Sequence, residues 1–132
     1  MNQSFDLPSV LTELIYGDEA TESLEQTIGR TLARYFVLRL NGQMYDRSKF
    51  TTHILQMRQM TSGGGEIRVL EQISTATAVA GRYLFRMVSA ERRSLTVEAH
   101  LFARVNEGKV ERIIEVARQV ENDAEEDFLA DT

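Results

Sequence analysis

The stretch LTVEAHLFARVNEGKV, residues 95–110, decides the fold. Leu95, Val97, Ala99, Leu101, Ala103 and Val105 alternate with Thr96, Glu98, His100, Phe102 and Arg104. That is the period of a β-strand with one apolar face and one mixed face. Asn106-Glu107-Gly108-Lys109 then reads as a tight turn. Val110, Ile114, Val116 and Val120 alternate beyond it as the apolar side of another strand. Upstream, Val79, Tyr83, Phe85 and Met87 share one strand face, and Ile67, Val69 and Ile73 share another. From Glu66 to Val120 the chain therefore reads as four successive strands joined by short turns. The apolar edge of residues 94–105 is expected to turn inward under a helical layer, leaving Glu98 and His100 outside.

The first half supplies that layer. Leu7, Val10, Leu11, Leu14 and Ile15 fall on one helical face, with Asp6 as cap, Pro8 in the first turn and Gly17 at the end. A second helix is expected to start near Asp18 to Thr21, with Leu24, Ile28 and Leu32 as its stripe. Arg34 to Leu40 is aromatic and β-branched enough for a strand, and Asn41-Gly42 signals a tight turn after it. Asp46 caps a third helix, Arg47 to Met60, whose buried face is Phe50, Ile54 and Met57. Thr61-Ser62-Gly63-Gly64-Gly65 reads as its end and as a mobile linker. Helices first and an antiparallel sheet after give an α+β architecture: three helices on a curved, mostly antiparallel sheet. Residues 1–121 form one domain. Residues 122–132 form an acidic tail, frayed or docked on a partner.

Composition narrows the function classes. The chain has 132 residues and a formal net charge of -5, which argues against nucleic acid or an anionic membrane surface as partner. It has no cysteine, which removes thiolate catalysis and cysteine zinc sites. His53 and His100 are too few for a three-histidine metal site. No cofactor or metal is implied. Met1 to Asp6 shows no leader pattern, and no apolar run is long enough to span a bilayer, so a cytoplasmic setting is expected.

The order of elements, with Tyr16-Gly17-Asp18 between the first helices, Tyr35 to Gly42 as first strand and Ala99 to Val110 as strand and turn, resembles the nuclear transport factor 2-like superfamily. Within it, the chain is similar to SnoaL-like proteins. The resemblance implies a cone-shaped, cystatin-like roll able to hold a small apolar ligand, and a homodimer through the outer sheet face. It covers about Leu7 to Val120. The family includes ketosteroid isomerases, polyketide cyclases and dehydratases, and members that only bind or assemble. The isomerases need a carboxylate base on the first strand, a tyrosine and a neutral carboxylic acid. Laid on this chain, the base position falls on Arg39 and the acid position on Leu101, or on His100 with a one-residue slip. Only the tyrosine has a counterpart, Tyr16.

The candidate residues each have two readings. His53 sits beside Phe50 and Met57 in helical projection, as a pocket-mouth acid or base, or as a helix-edge histidine with its polar end wet. Glu98 and His100 share a strand face and could form an acid–base pair, or belong to a solvent or dimer surface. Arg39 could hold an anionic ligand group, unless Phe36, Leu38 and Leu40 take the core side. Tyr16, Tyr45, Met57 and Tyr83 complete the ligand-contact candidates. Gly63-Gly64-Gly65 lacks the Lys-Ser/Thr and helix of a phosphate cradle.

Three functions follow. The first is a non-catalytic or vestigial small-molecule-binding domain with a pocket between helices and sheet. The second is a cyclase, isomerase or dehydratase acting on a ring-bearing apolar substrate, with Tyr16, His53 and His100 or Glu98 moving protons. The third is an assembly subunit. An enzyme needs at least two titratable side chains in one cavity.

Overall fold

The computed structural model describes residues 4–121 and 123–132. Residues 1–3, read above for a leader, and Asn122, the first residue of the acidic tail, lie outside the described residues. Among the described residues the chain forms four helices and six strands. They are α1 (Leu7–Tyr16), α2 (Leu24–Thr31), β1 (Leu32–Leu40), β2 (Gln43–Asp46), α3 (Arg47–Met60), β3 (Gly64–Ser74), β4 (Ala78–Val88), β5 (Ser94–Asn106), β6 (Lys109–Gln119) and α4 (Asp123–Asp131). The strands form one sheet in the order β2-β1-β6-β5-β4-β3, with β1 parallel to β6 and every other pair antiparallel. The expected α+β class stands, with a fourth helix added. No helix among the described residues is long and apolar enough to cross a membrane.

Local chemistry places the helices. Asp6 caps α1 by accepting from the Ser9 N–H at 3.1 Å. Asp46 caps α3 by accepting from the Lys49 N–H at 2.8 Å. The second helix starts later than its apolar stripe suggests. Ser23 and Gln26 form a reciprocal capping box there, with distances of 3.1 and 3.2 Å. Asp18 to Thr21 instead form a turn, in which Asp18 accepts from the Ala20 and Thr21 N–H groups.

Leu7, Leu11, Leu14 and Ile15 of α1, Leu24 and Ile28 of α2, and Phe50 and Ile54 of α3 are buried against the inner sheet face. That face carries Phe36, Leu38, Val79, Tyr83, Phe85, Met87, Ala99, Leu101 and Ala103, so the apolar edge of β5 does point under the helices. The Phe36 and Phe50 rings meet at 4.8 Å.

Gly63-Gly64-Gly65 is not a linker. Gly64 and Gly65 open β3, paired with Val88 and Met87. A Cβ on Gly65 would lie 2.1 Å from the Arg86 carbonyl oxygen and 2.8 Å from Tyr16 Cε1. Close approach of backbone to backbone is what the glycine permits.

Two β-bulges reset the faces. Leu70 is extra between Val69↔Tyr83 and Glu71↔Arg82, so Ile73 pairs with Ala80 and ends 78% exposed rather than sharing a buried face with Ile67. Glu111 is extra between Val105↔Val110 and Arg104↔Arg112. Beyond it, Ile113, Glu115 and Ala117 point inward, and Ile114 and Val116 point outward, with Val116 66% exposed. The expected inward alternation of Val110, Ile114 and Val116 fails after Val110, because one inserted residue swaps every later side chain to the other face.

The tail is not frayed. The helix α4 lies on the outer sheet face of its own chain. Arg118 on β6 reaches Glu125, Thr96 on β5 donates to Glu126 at 3.4 Å, and Arg82 on β4 donates to the Leu129 carbonyl at 3.3 Å. Leu84 and Glu98, both on that outer face, are buried, and Ile114 and Val116 remain exposed.

Candidate functional site

A cavity of about 220 Å³ lies between the helices and the inner sheet face. Its walls are Leu11 and Ile15 from α1, Phe50, Ile54, Met57 and Met60 from α3, and apolar side chains of β1, β4, β5 and β6. Among the described residues two titratable ones line it, His53 and Glu115. Of the residues that line it, Met60 is exposed, and Leu40, His53, Met57, Leu95, Val97, Glu115 and Ala117 are half-buried.

Glu115 comes from the reset face of β6. It pairs with Leu101 of β5 on one side and with Leu40 of β1 on the other. Between two inward-facing neighbours its side chain must face the cavity as well. No hydrogen-bond or ion-pair partner meets the carboxyl among the described residues, and burial alone pushes it up to about 7. Desolvation disfavours the charged form, and nothing here offsets it.

His53 enters from α3 between two rings, with its centroid 5.3 Å from Tyr45 and 6.5 Å from Phe50. Burial holds its imidazole below the usual histidine range, so it is neutral at pH 7. Near neutrality the cavity therefore holds a neutral imidazole and a carboxyl present in both protonation states. Such a pair can both give and take a proton in a mostly apolar space.

The structure disperses the other candidates. The Tyr16 hydroxyl lies outside the cavity at the β3–β4 pair, 2.7 Å from the Arg86 carbonyl oxygen and 3.1 Å from that of Glu66. Burial, with a smaller contribution from Glu66, pushes its phenol up to about 12. Tyr83 is fully buried and donates to Gln72 Oε1 at 2.7 Å, away from the cavity. Arg39 is exposed on the outer face, because Leu38 and Leu40 take the inner one. Tyr45 touches His53 without lining the cavity. Met57 and His53 line it. Glu98 and His100 stay together on the outer face, with His100 Nε2 3.5 Å from Glu98 Oε2. Tyr16, His53, His100 and Glu98 therefore do not converge. Among the described residues no group of His, Asp and Glu is arranged to hold a metal ion.

Sequence reasoning missed Glu115. The signal available was the run Arg112-Ile113-Ile114-Glu115-Val116-Ala117, where two adjacent isoleucines leave the inward phase open.

No protein-family model matches the chain, and no curated protein matches it. Solved structures do. The epoxide hydrolase/cyclase-like enzyme SalBIII, described with a role in pyran ring formation in the polyether salinomycin, superposes with a TM-score of 0.63 at 11% identity, over 83% of this chain and 85% of that one. A SnoaL-like polyketide cyclase from Agrobacterium tumefaciens gives 0.59 at 16% identity, over 83% and 86%. An NTF2-like protein of unknown function from Cytophaga hutchinsonii gives 0.58 at 12% identity, over 83% and 94%. The chain thus has the fold of the NTF2-like and SnoaL-like proteins, four helices around a six-stranded curved sheet.

Proposed function

We propose that the protein is an enzyme of cyclase, isomerase or dehydratase type, acting on a compact, ring-bearing apolar substrate, with Glu115 and His53 moving the proton. The observation that carries this reading is the unpaired Glu115 carboxyl in an otherwise apolar cavity. A pure binder of apolar molecules gains nothing from it. A carboxyl held near pH 7 by its surroundings is what general acid–base chemistry uses.

The sequence alone puts a non-catalytic binder first, because the isomerase base and acid positions fall on Arg39 and on Leu101 or His100, which leaves the isomerase machinery absent. With Glu115 inside, the enzyme reading is the better supported of the two. The fold neighbours described as cyclases point the same way. A filled cone, expected of an assembly subunit, is not what the cavity offers.

The cavity is smaller than the roughly 300–1,000 Å³ of typical ligand pockets, so it takes a small ring system or one end of a longer molecule. Among the described residues no lysine or arginine lines it, so an anionic group would find no cationic partner inside. Glu115 as carboxylate takes a proton from carbon or hydroxyl, and as acid returns one to an oxygen or carbon. Neutral His53 serves the second transfer.

A probe tests this without the natural substrate. With 5-nitrobenzisoxazole, a base takes the ring C–H proton as the N–O bond breaks, and a cyanophenolate appears. The wild-type protein should accelerate this with a midpoint near pH 7. Glu115→Gln should lose roughly 10²–10⁴-fold. Equal rates for the two proteins would overturn the reading.

A further inference from the structure

We propose that Asn41 is a positioning residue for the site: its side-chain amide holds the Glu115–Ala117 segment of β6 in place and keeps water off the cavity floor behind it. The inference rests on the reading of Glu115 as the proton-transfer group.

The strand β1 ends at Leu40, which pairs with Glu115. The chain then turns away through Asn41 and Gly42, with φ of 50° and 83°, into β2. On that side β6 would lose its neighbour at the point where Glu115 must be held. Asn41 supplies the missing neighbour. Its main-chain N–H donates to the Glu115 carbonyl at 3.0 Å. Its Nδ2 donates to the Ala117 carbonyl at 3.0 Å, and its Oδ1 accepts from the Ala117 N–H at 2.9 Å. One side-chain amide thus imitates one more residue of strand. Asparagine also tolerates the left-handed backbone that the turn demands.

The strand direction sets where the Glu115 carboxyl points, because successive side chains alternate. If β6 frays at 115–117, water reaches those backbone groups and then the carboxyl. Among the side chains that line the cavity from α1, α3, β1, β4 and β5, His53 is the titratable one, so no other charge would mask the change.

Asn41→Gly tests this. It keeps the left-handed turn and the main-chain bond to Glu115, and deletes only the amide. With the Glu115 carboxyl carbon followed by NMR, the midpoint should fall by about one pH unit or more toward the ordinary carboxylate range. The midpoint of 5-nitrobenzisoxazole turnover should fall with it. Asn41→Asp keeps the acceptor for the Ala117 N–H but loses the donor, so it should give an intermediate shift. It decides the matter if the glycine variant does not fold. Asp6→Ala, which removes the α1 cap, is the control for lost stability and should leave the midpoint alone. An unchanged midpoint in Asn41→Gly, or an equal shift in Asp6→Ala, overturns the proposal. If the wild type fails to turn over the probe, the proposed activity fails while the titration still tests Asn41.

Discussion

Arg118 on β6 donates from Nε to Glu98 Oε1 on β5 at 2.9 Å, across the outer sheet face and beneath α4. Its Nη2 reaches Glu125 Oε1 of α4 at 2.5 Å. One guanidinium therefore ties two strands to the C-terminal helix, and Glu98 is buried although it lies on the outer face. A buried carboxylate without its partner is costly. Arg118→Met should lower unfolding free energy by about 1–3 kcal/mol and speed hydrogen exchange in α4. Unchanged exchange in α4 would show that Arg118 does not hold the helix.

Tyr16 separates structure from catalysis. Its hydroxyl serves the β3–β4 backbone, and its ring fills the space that Gly65 leaves. Tyr16→Phe should cost about 1–2 kcal/mol of stability, measured by denaturant unfolding, and leave 5-nitrobenzisoxazole turnover unchanged. A drop of tenfold or more in turnover at full folding would place Tyr16 in the chemistry.

Glu115 predicts an inverted pH dependence of stability. Its folded-state value is about 7, above the unfolded value near 4.5. Below pH 4.5 both states are protonated and it contributes nothing. Between pH 4.5 and 7 the unfolded state loses the proton first, so stability falls as pH rises. Above pH 7 the penalty is complete, at most about 3 kcal/mol. Glu115→Gln should therefore be more stable than the wild type at pH 8 and nearly equal to it at pH 4. Denaturant titrations at the two pH values give the comparison.

Access to the cavity is also testable. Met57 lines it and is half-buried. Met57→Trp should occupy the space, cut turnover of the probe by roughly tenfold or more, and change stability by about 1 kcal/mol or less, since this side chain is half-buried and adaptable. Undiminished turnover would place the reaction elsewhere.

Much of the frame was legible before the structure. The third helix runs from Arg47 to Met60 as its cap and apolar spacing require, and the inner edge of β5 is as its alternation says. Those segments are long and periodic, and a single local rule decides them. The site was not legible for the converse reason. Glu115 faces inward only because Glu111 is an extra residue, and bulges leave no periodic trace. Ile114 and Val116 look like core and are not, so hydrophobicity pointed the wrong way. Tyr16 and Tyr83 read as ligand contacts because a phenol suits either role. Their partners, the Arg86 and Glu66 carbonyls and Gln72, come from strands distant in sequence. The tail read as frayed or docked on a partner because its anchors, Arg118, Thr96 and Arg82, are set by the sheet and not by the tail.

The most direct measurement is the NMR titration of the Glu115 side-chain carboxyl carbon in the wild-type protein, assigned by comparison with Glu115→Gln. A midpoint near pH 7 is the result expected of a carboxyl held unpaired in an apolar cavity. A midpoint in the ordinary glutamate range, about 4 to 4.5, would mean that water or a counter-charge reaches it, and the acid–base site described here would not exist.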